Sequence, residues 1–374
     1  MTVAVEGVKE RVAIEDALEF AVVVPCFNEN DNVAELLKRL DATLQGIVWE
    51  AIFVDDDSPD GTADTVRELA RRDRRVRVIQ RLGRRGLSSA VMEGMMATPA
   101  SYVAVIDADL QHDERILTDM LTKAREGADV VVGTRYADGG STGDWDETRV
   151  GMSRFATKLA NIILPTELSD PMSGFFLVTR ETLETSLRNV SGQGFKILLD
   201  ILASGPKDVK VAEVAYTFRS RHAGESKLDS AVLLAFAEML LEKTVGRFVP
   251  VRFVMFAGIG GLGLFVHLAV MLLSMEGIGS SFVVAQAAAT GVAIAFNYTL
   301  NNTFTFRDQR LKGWRWLSGL LSFYVVCSLG AAANVGVANV VFERDYSWWL
   351  AAISGVMVGA VWNYAVSTVF TWKK

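Results

Sequence analysis

Four stretches in the last third of the chain, residues 251–273, 282–300, 316–342 and 348–372, are each long and apolar enough to cross a bilayer. A hydrocarbon core of roughly 30 Å needs about 20 helical residues, and nothing else in the sequence constrains the fold as strongly. Charged residues are dense up to about Arg252 and sparse afterwards, apart from residues 307–315 and the last two lysines. Two parts follow, meeting near residue 245. Half of all residues are apolar, too many for an ordinary soluble enzyme and consistent with one globular domain joined to a membrane domain.

Cations orient the spans. Lys243, Arg247 and Arg252 precede the first, Arg307, Arg310, Lys312 and Arg315 lie between the second and third, and Lys373 and Lys374 follow the fourth, whereas the other two connections hold only Arg344. The positive-inside rule then places both termini and the whole N-terminal domain in the cytoplasm. The first twenty residues mix acids and bases without an apolar core, so no cleavable secretory signal is expected. Cys26 and Cys327 fall in different parts, which fits a reducing compartment and predicts no disulfide framework. A formal charge of −6 argues against nucleic acid as the partner, since phosphate-reading surfaces need a basic surplus.

The membrane part repeats itself. "FNYTLNNTFTFR" at residues 296–307 recurs as "WNYAVSTVFTWK" at 362–373, an offset of 66 (362 − 296), each at the end of an even-numbered span. Two helix pairs in the same orientation are what a parallel duplication leaves. Asn297 and Asn363 put amides inside apolar helices, where they are expected to bond to neighbouring helices. Gly355 and Gly359 have the small-xxx-small spacing of close helix contacts.

In the first 220 residues, β-rich runs at 20–25, 51–55, 76–80, 102–107 and 130–134 alternate with helical patterns at 32–44, 62–72, 87–97 and 115–126. That order predicts an α/β fold with a doubly wound, mostly parallel sheet. Polar clusters follow the strands: "PCFNEN" the first, "DDDSPDGT" the second, "DADLQH" the fourth. Ligands of such sheets bind beyond the carboxyl ends of the strands, so these stretches should converge on one crevice.

Carboxylates gathered in one crevice need a cation, and hard oxygen donors select magnesium or manganese over zinc. Asp107 and Asp109 have same-face spacing on an extended chain, and Gln111 continues that face. A lone DxD is weak evidence, because strand-end aspartates also cap helices; "DDDSPDGT" two strands away strengthens it. Neither G-x-G-x-x-G nor G-x-x-x-x-G-K-[ST] occurs, which disfavours dinucleotide binding and P-loop hydrolysis. His112 is read as a loop hydrogen-bonder rather than a ligand, and no pattern supports Cys26 as a nucleophile. Further on, "GTRY" (133–136), the helix-like run from Arg149 to about residue 164 and "RSRHAGESKL" (219–228) bring cations towards an acidic site. A substrate with its own phosphate would explain them. The run from Arg149 and residues 229–246 are amphipathic and suit a membrane interface.

The combination of "VDDDSPDGT", "DADLQH", "GTRY", "DPMSGFF" and "RHAGESKL" resembles family 2 glycosyltransferases of the dolichol-phosphate (polyprenyl-phosphate) mannose synthase type, followed by a GtrA-like four-helix membrane domain. The resemblance covers nearly the whole chain. It implies a GT-A fold over residues 1–228, an interface helix over 229–246 and a transmembrane domain over 247–374. It implies that Pro25, Glu29, Val54, Asp56, Asp107, Asp109 and Gln111 line the nucleotide-sugar site, with Arg221 and Lys227 approaching the diphosphate. Asp109 and Gln111, with Asp107, would hold Mg2+ or Mn2+, while Arg135, Arg149 and Ser153 would grip a lipid phosphate; Asp109, Arg135 and Arg149 are the implied catalytic group. The implied donor is GDP-mannose, with UDP-glucose second, and the acceptor a polyprenyl or dolichyl monophosphate in the bilayer. Asp113 and Glu114 stand where prolines often follow "DADLQH", and Ser88 where glycine is common.

Such an acceptor is already an anion, so an in-line displacement with inversion needs no general base and yields a β-linked lipid phosphosugar. Two other readings exist. A processive polysaccharide synthase should show Q-x-x-R-W, but the only Arg-Trp pair, Arg315 and Trp316, has Lys312 in the glutamine position. Translocation of lipid-linked sugar by the duplicated membrane helices is the other, and it is compatible with transfer.

Overall fold

The computed structural model describes residues 17–137, 139–141, 147–190, 196–219, 230–246, 248–344 and 347–373, without the side chains of 147–149, 152 and 230–235. Arg221 and Lys227, and the side chain of Arg149, lie outside the described residues. The chain divides into two compact units at the junction between Thr244 and Val245.

The first unit is built on strands β1 (Phe20–Cys26), β2 (Trp49–Asp55), β3 (Val76–Gln80), β4 (Tyr102–Val105), β5 (Val130–Thr134), β6 (Phe176–Thr179) and β7 (Val211–Ala215). They form one sheet in the order β3-β2-β1-β4-β6-β5-β7. All neighbours are parallel except β6, which runs antiparallel to both β4 and β5. The strong β-formers of β1 alternate between faces: Phe20, Val22 and Val24 join one core, Ala21 and Val23 the other. Helices α1 (Asn30–Thr43), α2 (Thr62–Arg72) and α4 (Leu117–Arg125) cover the first face. Helices α3 (Leu87–Met96), α6 (Arg180–Leu187) and α7 (Ile197–Ser204) cover the second. With both faces covered, the inner strands β1, β4 and β6 are continuous apolar runs, as burial on both faces favours, whereas the edge strands β3 and β7 carry charged or polar residues.

Chain order turns back at β1: β2 and β3 are added on one side, β4 on the other. The crevice beyond β1 and β4 is therefore the topological switch point, where ligands of open α/β sheets sit. Helix α5 (Glu147–Asn161) and α8 (Ser230–Thr244) meet α7 through a smaller core of Ala160, Met172, Leu199, Phe236 and Met239. Lys243 on α8 pairs with buried Asp200 on α7 at 2.7 Å.

The second unit consists of α9 (Val251–Leu272), α10 (Phe282–Leu300), α11 (Trp314–Phe342) and α12 (Trp348–Phe370). With their continuations, all four are long and apolar enough to cross a membrane. Their outward faces carry exposed Phe265, Leu268, Val283, Leu321, Val335 and Val356, a surface suited to lipid. Inside, Phe306 stacks on Trp372 with ring centroids 4.1 Å apart. These two residues occupy equivalent positions in the repeat (372 − 306 = 66). Asn297 and Asn363 depart from expectation, because neither amide oxygen has a hydrogen-bond partner. Each instead fills the space beside a glycine on the preceding helix, Gly263 for Asn297 and Gly330 for Asn363. The missing Cβ lets the amide into the helix contact, and both repeats use the same device. Gly355 and Gly359 likewise pack against Asn334 of α11.

Candidate active site

Among the described residues, three that are not glycine adopt left-handed backbone angles: Asn28 (φ 60), Asp57 (φ 58) and Leu110 (φ 62). They follow β1, β2 and β4, so each polar motif leaves its strand through a costly turn at the same edge. Strain of this kind persists only where surrounding contacts over-determine it, and it clusters at functional sites.

The contacts between "PCFNEN" and "DDDSPDGT" supply that restraint. Three successive amides of the first motif donate to side chains of the second: Asn28 to Ser58 Oγ at 3.0 Å, Glu29 to Thr62 Oγ1 at 3.1 Å and Asn30 to Asp60 Oδ2 at 3.1 Å. Buried Asp55 accepts from the amide and hydroxyl of Ser58. Burial raises the Asp60 pKa, but the Thr62 hydroxyl and the amides of Asn30 and Thr62 outweigh it and hold the carboxyl below its ordinary value. Much of the acidic cluster is thus satisfied by N–H and O–H donors, and only part of it is left to require a cation. Asp56, expected at the nucleotide, is paired on both oxygens: Oδ1 with Arg81 Nη1 at 2.7 Å and Oδ2 with the Gly86 amide at 2.7 Å. Arg81 is almost fully buried and also donates to Ser89 Oγ. Pro25 and Val54 are buried register partners on β1 and β2. The Val54 side chain sits in the core beneath α3; it meets the crevice only through its backbone. Glu29 is partly buried and accepts from Asn32.

Across the switch point, β4 ends at Val105 and "DADLQH" turns into the crevice. Asp107 is about one-third exposed, and its Oδ2 lies 3.2 Å from His112 Nε2. His112 Nδ1 lies 2.7 Å from the Tyr216 hydroxyl. A carboxylate only accepts, so Nε2 donates to Asp107; in the neutral imidazole that leaves Nδ1 to accept from Tyr216. The imidazole is held between Phe175 and Phe218 rings. Burial pushes the Tyr216 hydroxyl well up, keeping it a donor. Asp109 accepts from the Gln111 amide at 3.2 Å, and Gln111 Nε2 donates to the Arg219 carbonyl at 3.2 Å.

The structure brings Asp107, Asp109 and Gln111 together at the end of one strand. Among the described residues no three His, Cys, Asp or Glu side chains form a ready-made metal cage. Two carboxylates and an amide oxygen nevertheless fit magnesium or manganese, which are held by one or two carboxylates and complete their shells with water and substrate phosphates. Cys26 is buried beside this acidic group. Burial, and then the charges of Glu29, Asp55, Asp107 and Asp56, raise its pKa above the ordinary value, which favours the protonated thiol over a nucleophilic thiolate.

On the far side of β4, Arg135 follows β5 and forms a bidentate pair with Asp170, Nε–Oδ2 2.7 Å and Nη2–Oδ1 2.9 Å. Asp170 is fully buried. The fork expected at the lipid phosphate is therefore already held by a carboxylate, which fixes its plane. Ser153 on α5 accepts from the Tyr136 hydroxyl at 2.8 Å, and Arg149 lies one helical turn earlier on the same face. The departures at 113 and 114 have a partner: Arg219 bonds Asp113 Oδ1 at 2.8 Å and Glu114 Oε2 at 2.7 Å. Asp170, Tyr216, Arg81 and Arg219 were missed as site-building residues in the sequence. "DPMSGFF" and "RSRHAGESKL" flagged Asp170 and Arg219 without giving their partners; nothing marked Tyr216 or Arg81.

Residues 21–187 match the family described as Glycosyl transferase family 2, and residues 255–372 match the GtrA/DPMS transmembrane domain. The chain is 33% identical over 366 residues to a dolichol-phosphate mannosyltransferase of Pyrococcus furiosus, covering 95% of this chain and 99% of the relative. Enzymes of the same name from Mycosarcoma maydis and Saccharomyces cerevisiae are each 39% identical, over 63% and 62% of this chain and 83% and 89% of their own lengths. Among solved structures, glucosyl-3-phosphoglycerate synthase of Mycobacterium tuberculosis is 23% identical, covering 61% of this chain and 80% of its own, with a TM-score of 0.47. The chain belongs to the family 2 glycosyltransferases of the dolichol-phosphate mannosyltransferase type, and is an integral membrane enzyme with a GtrA/DPMS transmembrane domain.

Proposed function

We propose that this protein transfers mannose from GDP-mannose to a polyprenyl or dolichyl monophosphate with inversion, giving a β-linked lipid phosphomannose, with Mg2+ or Mn2+ as cofactor. The observation that carries this reading is the gathering of Asp107, Asp109 and Gln111 at the switch point, flanked on one side by the β1 and β2 motifs and on the other by Arg135. The relatives' shared name supports the choice of sugar and lipid.

In this reading Pro25, Glu29, Val54 and Asp56 form the nucleotide side, with Arg221 and Lys227 closing on the diphosphate. Asp107, Asp109 and Gln111 would hold the divalent ion, which supplies electrostatic stabilisation to the leaving diphosphate when bound. The Tyr216–His112 chain aims Asp107, and the Gln111 amide orients Asp109. The acceptor needs no deprotonation, because a phosphate monoester with a second pKa of about 6 is largely ionised at neutral pH. Asp109 is accordingly assigned to the ion rather than to proton transfer. Arg135, preoriented by Asp170, acts with Arg149 and Ser153 to align the acceptor oxygen for in-line attack. The distribution of Lys and Arg supports a cytoplasmic position for both termini and this domain.

Membranes containing the protein, incubated with polyprenyl phosphate and labelled GDP-mannose or UDP-glucose, test the reading. Label should enter lipid from GDP-mannose, and be lost on chelation and in Asp109→Asn. Label from UDP-glucose alone would replace the donor, and none from either would sink the reading. The repeated helix pairs, in which Asn297 and Asn363 pack alike against Gly263 and Gly330, favour a second activity, translocation of the lipid product; Asp109→Asn protein moving preformed lipid phosphomannose across liposomes would reveal it.

A further inference from the structure

Lys196 is the residue just before α7 and has no place in the site as derived above. The only hydrogen bond of its ammonium among the described residues is a long one, Nζ to the Met172 carbonyl at 3.5 Å. An ammonium has three donors, so this half-buried cation is poorly satisfied where it stands. Unmet buried charge is costly unless a ligand compensates it.

The loop at residues 170–174 shows where the ammonium lies. Within five residues, Asp170 holds Arg135, the Met172 carbonyl meets Lys196, and Gly174 lies so close to Asp107 that an added Cβ would be 3.0 Å from Oδ2. Arg135, Lys196 and Asp107 are thus gathered along one short stretch of backbone. Asp170 is already neutralised by both contacts from Arg135. Asp107 is turned towards His112 and, in the function proposed above, towards a divalent ion. Among the described residues, that leaves the Lys196 ammonium in no ion pair.

We propose that Lys196 is a phosphate-contacting residue of the transferase, binding the monophosphate of the acceptor lipid beside Arg135. The side of the sheet decides between the two phosphates that the reaction brings in. The nucleotide motifs follow β1 and β2, whereas Arg135 follows β5 and the loop at 170–174 leads into β6, across β4. This inference rests on the proposed transfer to a lipid phosphate and adds a third cation to its acceptor side.

Burial, followed by the charge of Arg135, lowers the Lys196 pKa, so more of its amine is in the nucleophilic form and an acylating reagent should mark it. In the full-length protein in detergent, Lys196 acetylation by a limiting dose of acetic anhydride is quantified by mass spectrometry with short-chain polyprenyl monophosphate, GDP or inorganic phosphate. Protection by the lipid phosphate, absent with GDP and weaker with inorganic phosphate, is the expected result. It does not depend on turnover, so it stands apart from a failure to find mannosyl transfer. Lys196→Met and Lys196→Gln should raise KM for the lipid roughly ten- to a hundredfold, the fold-change of one charge-assisted phosphate contact, with KM for the nucleotide sugar within about twofold. Lys196→Arg should recover part of the loss. No protection by lipid phosphate, or protection and KM effects that follow the nucleotide instead, would overturn the assignment; a substituted protein that fails to fold leaves the wild-type protection to decide.

Discussion

Asp170 shows how much of this site depends on residues that touch no substrate. It is buried and accepts two bonds from Arg135. Asp170→Asn would remove the carboxylate that holds both of these guanidinium contacts, and breaking a largely buried pair costs about 3–5 kcal/mol. Thermal melting should show that loss, with lipid KM raised and nucleotide binding kept. For the same reason Arg135→Lys removes a fork as well as a charge distribution, and it should destabilise as well as weaken the acceptor site. Asp113 gives a pH dependence. Burial raises its pKa, but the bonds from Arg115 and the charge of Arg219 outweigh it and hold the carboxyl below 3.8. Because the native pKa lies below the unfolded one, its contribution is complete above about pH 4 and is lost as pH falls through the lowered value. Melting between pH 5 and pH 3 should therefore fall more steeply for the wild type than for Asp113→Asn. At this scale the sequence showed the chemistry but not the partners. Asp107, Asp109 and Gln111 were singled out by same-face spacing on an extended chain, but the strand ends at Val105 and the three lie on the turn beyond it, with Leu110 left-handed; the Arg135–Asp170, Asp56–Arg81 and Tyr216–His112 pairings join residues 35, 25 and 104 positions apart.

Among the elements, β3, β5 and α2 have the boundaries expected from their local patterns. β4 stops two residues early, at Val105, because the chain must leave the sheet to turn at left-handed Leu110. The antiparallel insertion of β6 between β4 and β5 was not legible. A four-residue apolar run carries no direction of its own, and its partners lie about 50 to 75 residues earlier in the chain. α3 shows a constraint visible only in the packing. Gly94 rests directly on the sheet, where a Cβ would collide with Val23 and Val54. Gly94→Ala should cost about 1–3 kcal/mol through overpacking, despite the better helix propensity of alanine; denaturant titration of the nucleotide-binding activity would measure it. No loss would mean that α3 can lift from the sheet, loosening the Arg81–Ser89–Asp56 contacts beside it.

The whole molecule joins a family 2 glycosyltransferase domain to four helices long and apolar enough to cross a membrane, and the proposed division of labour between them is itself testable. Each described residue of the proposed donor and metal sites precedes Thr244, and so do Arg221 and Lys227. A chain truncated after Thr244 should therefore still bind GDP with a divalent cation in calorimetry, within about tenfold of the full-length affinity, while losing transfer to long-chain lipid in vesicles. A folded truncated chain without nucleotide binding would show that the membrane unit completes the site. The central claim concerns the acceptor, an anionic lipid that needs no base. It is tested most directly by supplying the full-length protein with labelled GDP-mannose, Mg2+ or Mn2+, and either a polyprenyl monophosphate or the corresponding polyprenol, then extracting lipid. Mannose should appear in lipid only with the monophosphate, in a β-linked phosphodiester, and disappear on chelation; equal labelling of the free alcohol would contradict the account.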